Sequence, residues 1–202
     1  TMALTPLMYA IVNKVFKRTA RKAPEHDDIQ HTEDLHNHFI ICGYGWVGEN
    51  LAKFLATDHI KFVAIDSEPH RVKYGREQGM PVYYGDAARV DILKSMRADK
   101  AKGVIVTIHD SRAEVRIIQT LKHSFPDLPI IARAKHLENV DQLRNEGATH
   151  VVPEAFESSI QLGKIALRVL GAPEAEIKRT TKTFREQSIN IDELVDKEKS
   201  EN

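Results

Sequence analysis

Cys42 is the only cysteine in 202 residues. A disulfide within the chain is therefore excluded, as is any zinc cluster built on several thiolates, and nothing calls for an oxidising compartment. Charge of one sign is not in excess either. Lys and Arg number 29, Asp and Glu also 29, and the formal net charge is zero. That removes the basic surplus with which a nucleic-acid-binding chain neutralises phosphates, so no nucleic acid partner is expected. No apolar run reaches the roughly 18–20 residues needed to span a bilayer. Hydrophobic residues make up 42% of the chain, which is not the composition of a disordered one.

Residues 1–22 and 23–37 differ in composition from the rest of the chain. Met2, Leu4, Leu7, Met8, Tyr9, Ile11, Val12, Val15 and Phe16 give way to Lys14, Lys17, Arg18, Arg21 and Lys22. An apolar stretch meeting a basic cluster is how a membrane helix enters the cytoplasm. Two readings stand: the end of a membrane helix with its juxtamembrane segment, or an amphipathic arm lying on the domain or on lipid. The segment 23–37 is acidic and histidine-rich and reads as a linker. His26, His31, His36 and His38 match no common ligand spacing, so no metal site is expected.

From 38 to 153 the chain alternates between two periods. HFIICG, KFVAID, PVYY, GVIVTI, LPIIA and THVVP are short, largely β-branched runs, each fitting a strand buried on both faces of a parallel sheet. Between them Val47, Leu51, Phe54 and Leu55, and later Leu137, Val140 and Leu143, keep helical spacing. Gly79, Pro81, Pro126, Pro129 and Gly147 fall at the breaks. The expected fold is α/β, a doubly wound six-stranded parallel sheet of the Rossmann-like kind.

The first strand runs into Gly43-Tyr44-Gly45-Trp46-Val47-Gly48, a GxGxxG turn opening a helix. Gly43 allows the tight turn, Gly45 leaves room for a pyrophosphate, and Gly48 lets the helix approach the sheet. The second strand ends at Asp66, 23 residues after Gly43, with Ser67 next. A carboxylate there accepts from an adenosine ribose and repels a 2′-phosphate, which favours NAD(H) or an adenine mononucleotide such as AMP over NADP. Asp86 and Ala87 come after the third strand. Asp86 fits either the adenine amine or an N-cap near Ala88. Thr107 ends the fourth strand facing phosphates or a second ring, and Arg133 on the fifth pairs either with a phosphate or with Asp110. His109 and Asp110 read as loop and cap rather than as a catalytic pair.

No Tyr-x-x-x-Lys pair and no substrate domain accompany this fold, so the chain does not read as an enzyme. Residues 154–202 begin with a helix to about Leu170, polar only along Glu157, Gln161, Lys164 and Arg168. So much apolar circumference demands burial on two sides. A two-fold homodimer through 154–170 meets that demand, and so does a fold-back of the helix after Pro173. The final DKEKSEN is expected to fray.

GYGWVGENLAKFL, FVAIDSEPHRV, GMPVYYGDA, IIARAK and GATHVVPEAFESSIQLG together resemble the regulatory nucleotide-binding domain of Kef-type monovalent cation/proton antiporters. That domain is also called the regulator of potassium conductance or Trk-type N-terminal domain. The resemblance covers roughly residues 36–171 and implies a dimeric domain on the cytoplasmic face of the membrane, joined to a membrane transport domain of the same protein. It implies that nucleotide binding gates potassium transport, with Gly43, Gly45 and Gly48 as the phosphate turn, Asp66 as the ribose acid and Asp86 beside adenine. A nucleotide-sensing subunit of a potassium channel or Trk-type uptake system is the alternative, and a small NAD-dependent oxidoreductase a second. Members of the Kef branch that bind glutathione carry arginine in a segment where this chain has Val152-Pro153-Glu154, and again at the place of Lys53. These departures weigh against glutathione control. Trp46 likewise replaces a common arginine and removes one phosphate cation.

Overall fold

The computed structural model of the chain describes residues 35–200. The expected membrane-helix end and all but the last residues of the linker lie outside the described residues. Strand and helix alternate as β1 (Phe39–Cys42), α1 (Trp46–Thr57), β2 (Phe62–Asp66), α2 (Pro69–Glu77), β3 (Val82–Tyr84) and α3 (Val90–Ser95). They continue as β4 (Gly103–Val106), α4 (Ser111–Ser124), β5 (Ile130–Ala134), α5 (Val140–Asn145), β6 (His150–Pro153), α6 (Glu154–Val169) and α7 (Glu174–Ser200). The strands form one six-stranded sheet in the order β3-β2-β1-β4-β5-β6, and the pairs β1–β2, β2–β3, β4–β5 and β5–β6 are parallel. This is the doubly wound order the alternation predicts. The chain divides into two compact units, one ending at Lys102 and the other beginning at Gly103.

In the first unit β2 is buried along all five residues, because β1 flanks it on one side, β3 on the other, and helices cover its faces. Ile40, Ile41, Val63 and Ile65 of the strands pack in the same core as Ala52 and Leu55 of α1, Val72 of α2 and Leu93 of α3. Each such aliphatic side chain contributes about 1.5–3 kcal/mol on leaving water.

In the second unit α4 is strongly amphipathic and buries Ile117, Ile118 and Leu121. The expectation that all six strands are covered on both faces fails at β6. Among the described residues its only neighbouring strand is β5, and His150 and Val152 are exposed. An edge strand has half the packing of a central one, and a run of four residues does not reveal which it is.

The helix α6 runs where expected, and of the two readings of its apolar circumference the fold-back is the one seen. The next helix, α7, folds back on it. Phe156 stacks on Phe184 with ring centroids 5.4 Å apart, and Arg185 grips Glu157 with contacts of 2.5 and 2.7 Å. Ile160 and Ile177 are buried. The charged tail continues as helix to Ser200, where its composition predicts fraying. The polar stripe of α6 thus supplies partners to α7, while Leu162, Ile165, Val169 and Leu170 stay exposed.

His38 links the entry of β1 to the turn after α3. Its Nε2 donates to the carbonyl of Met96 at 2.9 Å, and its Nδ1 is buried without a partner. Protonation would force a second N–H into that place, and burial holds the imidazole below its ordinary value. A lowered histidine pKa means the unfolded chain takes the proton first. His38 therefore costs stability as pH falls below about 6.5 toward its lower folded value. Urea unfolding midpoints measured from about pH 7.5 to 5 should decline with acidity, and His38→Gln should flatten part of that decline. An unchanged pH slope in the variant would assign the effect elsewhere.

Candidate functional site

Two constraints shape the turn after β1. Gly43 sits at φ 103°, which a side chain resists. Its N–H donates to the carbonyl of Ile65 at 2.8 Å, and the next N–H, of Tyr44, donates to Asp66 Oδ2 at 2.6 Å. Asp66 Oδ1 accepts from Glu68 N–H at 2.8 Å, and Arg71 Nη1 lies 3.4 Å from Oδ2. Asp66 is only 3% exposed. The carboxylate expected to receive a ribose therefore already ties the glycine turn to the end of β2. Two bonds do not exhaust it, since an ionised carboxyl has about four acceptor positions.

Gly45 is the N-cap of α1 in extended conformation, with no side chain capping the helix. A Cβ built there meets nothing within 4 Å. The first N–H groups of α1 thus lack a side-chain acceptor and open onto free space, with the positive end of the helix dipole behind them. Val47 is half-buried and Gly48 buried, while Trp46 is 78% exposed and Ser67 is exposed. These residues fit a phosphate-bearing ligand: backbone donors, room at Gly45, and an acid at the end of β2.

Asp86 stands close in the backbone network, since Gly85 N–H donates to Asp66 O at 3.1 Å. Its own carboxyl accepts from Ala88 N–H at 2.9 Å. The alternative role expected for Asp86, capping a helix near Ala88, is not what the structure shows. The helix begins at Val90 behind Arg89, and Asp86 closes a turn before it. Ala87 is buried. Cys42 is fully buried and its thiol is pushed up to about 12, so it packs as a hydrophobe and does not react.

The second unit holds Thr107 and Arg133. Thr107 is buried at the end of β4. Asp110 caps α4 by accepting from Ala113 N–H at 2.8 Å, as expected. Arg133 does not pair with Asp110. Its Nη1 pairs with Glu154, the first residue of α6, and its Nη2 lies 3.1 Å from His109 Nδ1. Glu114 of α4 is 5% exposed, with Oε1 lacking any hydrogen-bond partner. Burial raises its carboxyl to about 7, with the Arg133 charge pulling the other way.

Sequence reasoning missed Arg71, Glu154 and Glu114. Glu114 carried a signal: it shares one helix face with Ile117, Ile118 and Leu121, at spacings of three, four and seven. Arg71 had only its place in the first turn of α2, and Glu154 none, because its partner is 21 residues away. Among the described residues no group of His, Cys, Asp and Glu side chains gathers as a metal site.

Residues 39–154 match the model of the TrkA-N domain. Over 191 residues, 95% of this chain, the sequence is 33% identical to the glutathione-regulated potassium-efflux system protein KefC of Escherichia coli O17:K52:H18 (strain UMN026 / ExPEC). The chain spans 30% of that protein's length. The solved Shewanella denitrificans Kef CTD in AMP bound form is similar at a TM-score of 0.67 and 28% identity, covering 78% of this chain and 97% of that one. The TrkA-N domain of inner membrane protein ybaL from Escherichia coli is similar at a TM-score of 0.61 and 31% identity, covering 65% and 98%.

The bonds to Asp66 predict the effect of Asp66→Asn without any ligand. An amide keeps the size of the carboxyl but turns an NH2 toward one of the two backbone donors. The loss should be about 1–3 kcal/mol in urea unfolding, the scale for a hydrogen bond to a charged group. Unchanged stability would show that the carboxylate does not hold the turn.

Proposed function

Because this chain belongs to the TrkA-N domain family, we propose that it is the nucleotide-sensing domain of a potassium/proton antiporter, gating ion transport through NAD(H) or an adenine nucleotide such as AMP. Its relation to KefC makes it a regulatory module and not a catalytic enzyme. The chain spans 30% of that relative's length, and among its described residues no helix is long and apolar enough to cross a membrane. In this reading the ion pathway belongs to a membrane transport domain of the same protein, with the sensing domain on the cytoplasmic side.

One observation carries this reading: the uncapped N-terminus of α1, open at Gly45, beside an acid at the end of β2. In the proposed site the N–H groups at the start of α1, from Gly45 to Gly48, hold phosphate, with Gly43, Tyr44, Gly45, Trp46, Val47 and Gly48 forming the turn. Asp66 and Ser67 take the ribose and Asp86 and Ala87 border adenine. Thr107 and Arg133, the other two residues named for the site, belong to the second unit. The AMP seen in the related Kef domain supports an adenine nucleotide as the class. Asp66 disfavours a 2′-phosphate by its charge, a preference that the neighbouring Arg71 moderates.

The exposed stripe of α6 supports a homodimer. Leu162, Ile165, Val169 and Leu170 recur at helical spacing and α7 leaves them open. A two-fold contact on this stripe would cover them, and a ligand that interacts differently with two dimer arrangements would shift the balance between them.

Calorimetry of AMP and NAD binding tests the ligand. Gly45→Val places its side chain in free space, so the variant should fold while losing roughly 100-fold in affinity, about 2.7 kcal/mol. Retained affinity would remove the phosphate turn from the site, and NADP binding as tight as NAD would remove the role of Asp66.

Sedimentation equilibrium tests the dimer. Ile165→Glu charges an exposed position, whereas Ile160 is buried within the subunit and is unsuitable. The variant should lose about 3–5 kcal/mol of association. A native chain that stays monomeric at high concentration would end the proposal.

A further inference from the structure

The helix α2 meets the glycine turn and its surroundings through one face. Arg71, Tyr74 and Gly75 stand at spacings of three and four, which brings them to the same side of the helix. Arg71 Nη1 lies 3.4 Å from Asp66 Oδ2. The Tyr74 hydroxyl donates to Glu49 Oε1, in the first turn of α1, at 3.3 Å. Gly75 receives the ring of Tyr44. A Cβ built on Gly75 would lie 2.7 Å from Cε1 and 3.1 Å from Cζ of that ring, and 2.5 Å from Cγ2 of Val82 on β3. Side chains do not pack so close, so glycine alone admits both neighbours at this place. Alanine would suit the interior of a helix better, and the close approach of the ring is the physical reason for its absence.

The Tyr44 ring is held by shape. The residue is 3% exposed, and its hydroxyl is buried without a hydrogen-bond partner among the described residues. No polar contact draws the ring inward, so its fit against Gly75 seats it. The backbone of the same residue is fixed as well. Tyr44 N–H donates to Asp66 Oδ2 at 2.6 Å. The next residue, Gly45, is the N-cap of α1, and its carbonyl accepts from Glu49 N–H at 2.8 Å. The place of Tyr44 therefore sets the place of Gly45 and the direction of the first free N–H groups of α1.

We propose that Tyr44 is a positioning residue: its ring, seated on Gly75 of α2, holds the glycine turn in the shape that receives phosphate. Asp66 holds the turn through the main chain from the end of β2, and Gly75 holds it through the side chain from α2. A turn fixed from two sides is ordered before the ligand arrives, so binding does not bear the cost of ordering it. A methyl group on Gly75 fills the seat. A ring as buried as this one has no route to solvent that leaves the packing against α2 intact, so the backbone of Tyr44 moves and the N–H groups lose their aim. The consequence for ligand rests on the phosphate assignment proposed above, whereas the seating of the ring does not.

Gly75→Ala crowds Val82 as well as Tyr44, and Val82→Ala, which removes Cγ2, separates the two contacts. The test compares Val82→Ala, Gly75→Ala and the double variant in the 202-residue chain. Val82→Ala should lower stability, since it empties a buried place, yet keep AMP affinity within about twofold of native. Gly75→Ala and the double variant should each lose at least about fivefold by calorimetry. Without nucleotide, the backbone amide NMR signals of Tyr44, Gly45 and Trp46 should move in those same two variants and stay in place in Val82→Ala. Native affinity in the double variant overturns the proposal, because the loss in Gly75→Ala would then run through β3. Turn amides that stay in place in Gly75→Ala overturn it too. If the native chain binds neither AMP nor NAD, the phosphate assignment fails, and the amide signals alone decide whether the ring positions the turn. If the double variant does not fold, an affinity loss confined to Gly75→Ala supports the proposal and an equal loss in Val82→Ala overturns it.

Discussion

The bond from the Tyr44 N–H to the Asp66 carboxylate closes the first unit at its working end. At 2.6 Å and in a buried place it is a charge-assisted contact, stronger than a neutral one. It fixes where β1 stops, since Gly43 must then turn at φ 103°, and it fixes the direction in which α1 leaves. The second oxygen, receiving Glu68 N–H, sets the start of α2 in the same way. One carboxylate therefore orients two helix entries. An acid at the end of the second strand thus has a structural reason to be there before any ligand arrives, and a nucleotide would share it.

How much of this the sequence reveals depends on the range of the interaction. Alternation of β-branched runs with helical spacing marked all six strands, because each run is a local pattern. GxGxxG and the acid on the next strand located the turn, since the motif fixes its own geometry over a few residues. Beyond that range the residues are silent. Arg133 offered two partners, a phosphate or Asp110, and the structure supplied a third, Glu154. Val152 looked like a core residue until the sheet order placed β6 at an edge. Position along the chain does not say what lies across a fold, and these two depend on it.

The hairpin of α6 and α7 shows why composition misleads about burial. An apolar circumference suggested two covered faces. In the structure α7 approaches along the polar stripe, where Glu157 meets Arg185 and Arg168 meets Glu174 at 2.7 Å. The aromatic pair Phe156 and Phe184 and the buried Ile160 and Ile177 flank that line of charges. Ion pairs here set the register of the two helices more than they stabilise them, since exposed pairs contribute about 0–1 kcal/mol. The apolar positions Leu162, Ile165, Val169 and Leu170 remain open.

Asp66 and Glu114 are two buried acids with opposite surroundings. Two backbone N–H groups and a nearby guanidinium meet the charge of Asp66, whereas Glu114 has an oxygen that nothing meets. The first environment fixes a charge and with it a turn. The second leaves a proton as the readiest neutraliser, so the group answers to pH and not to position.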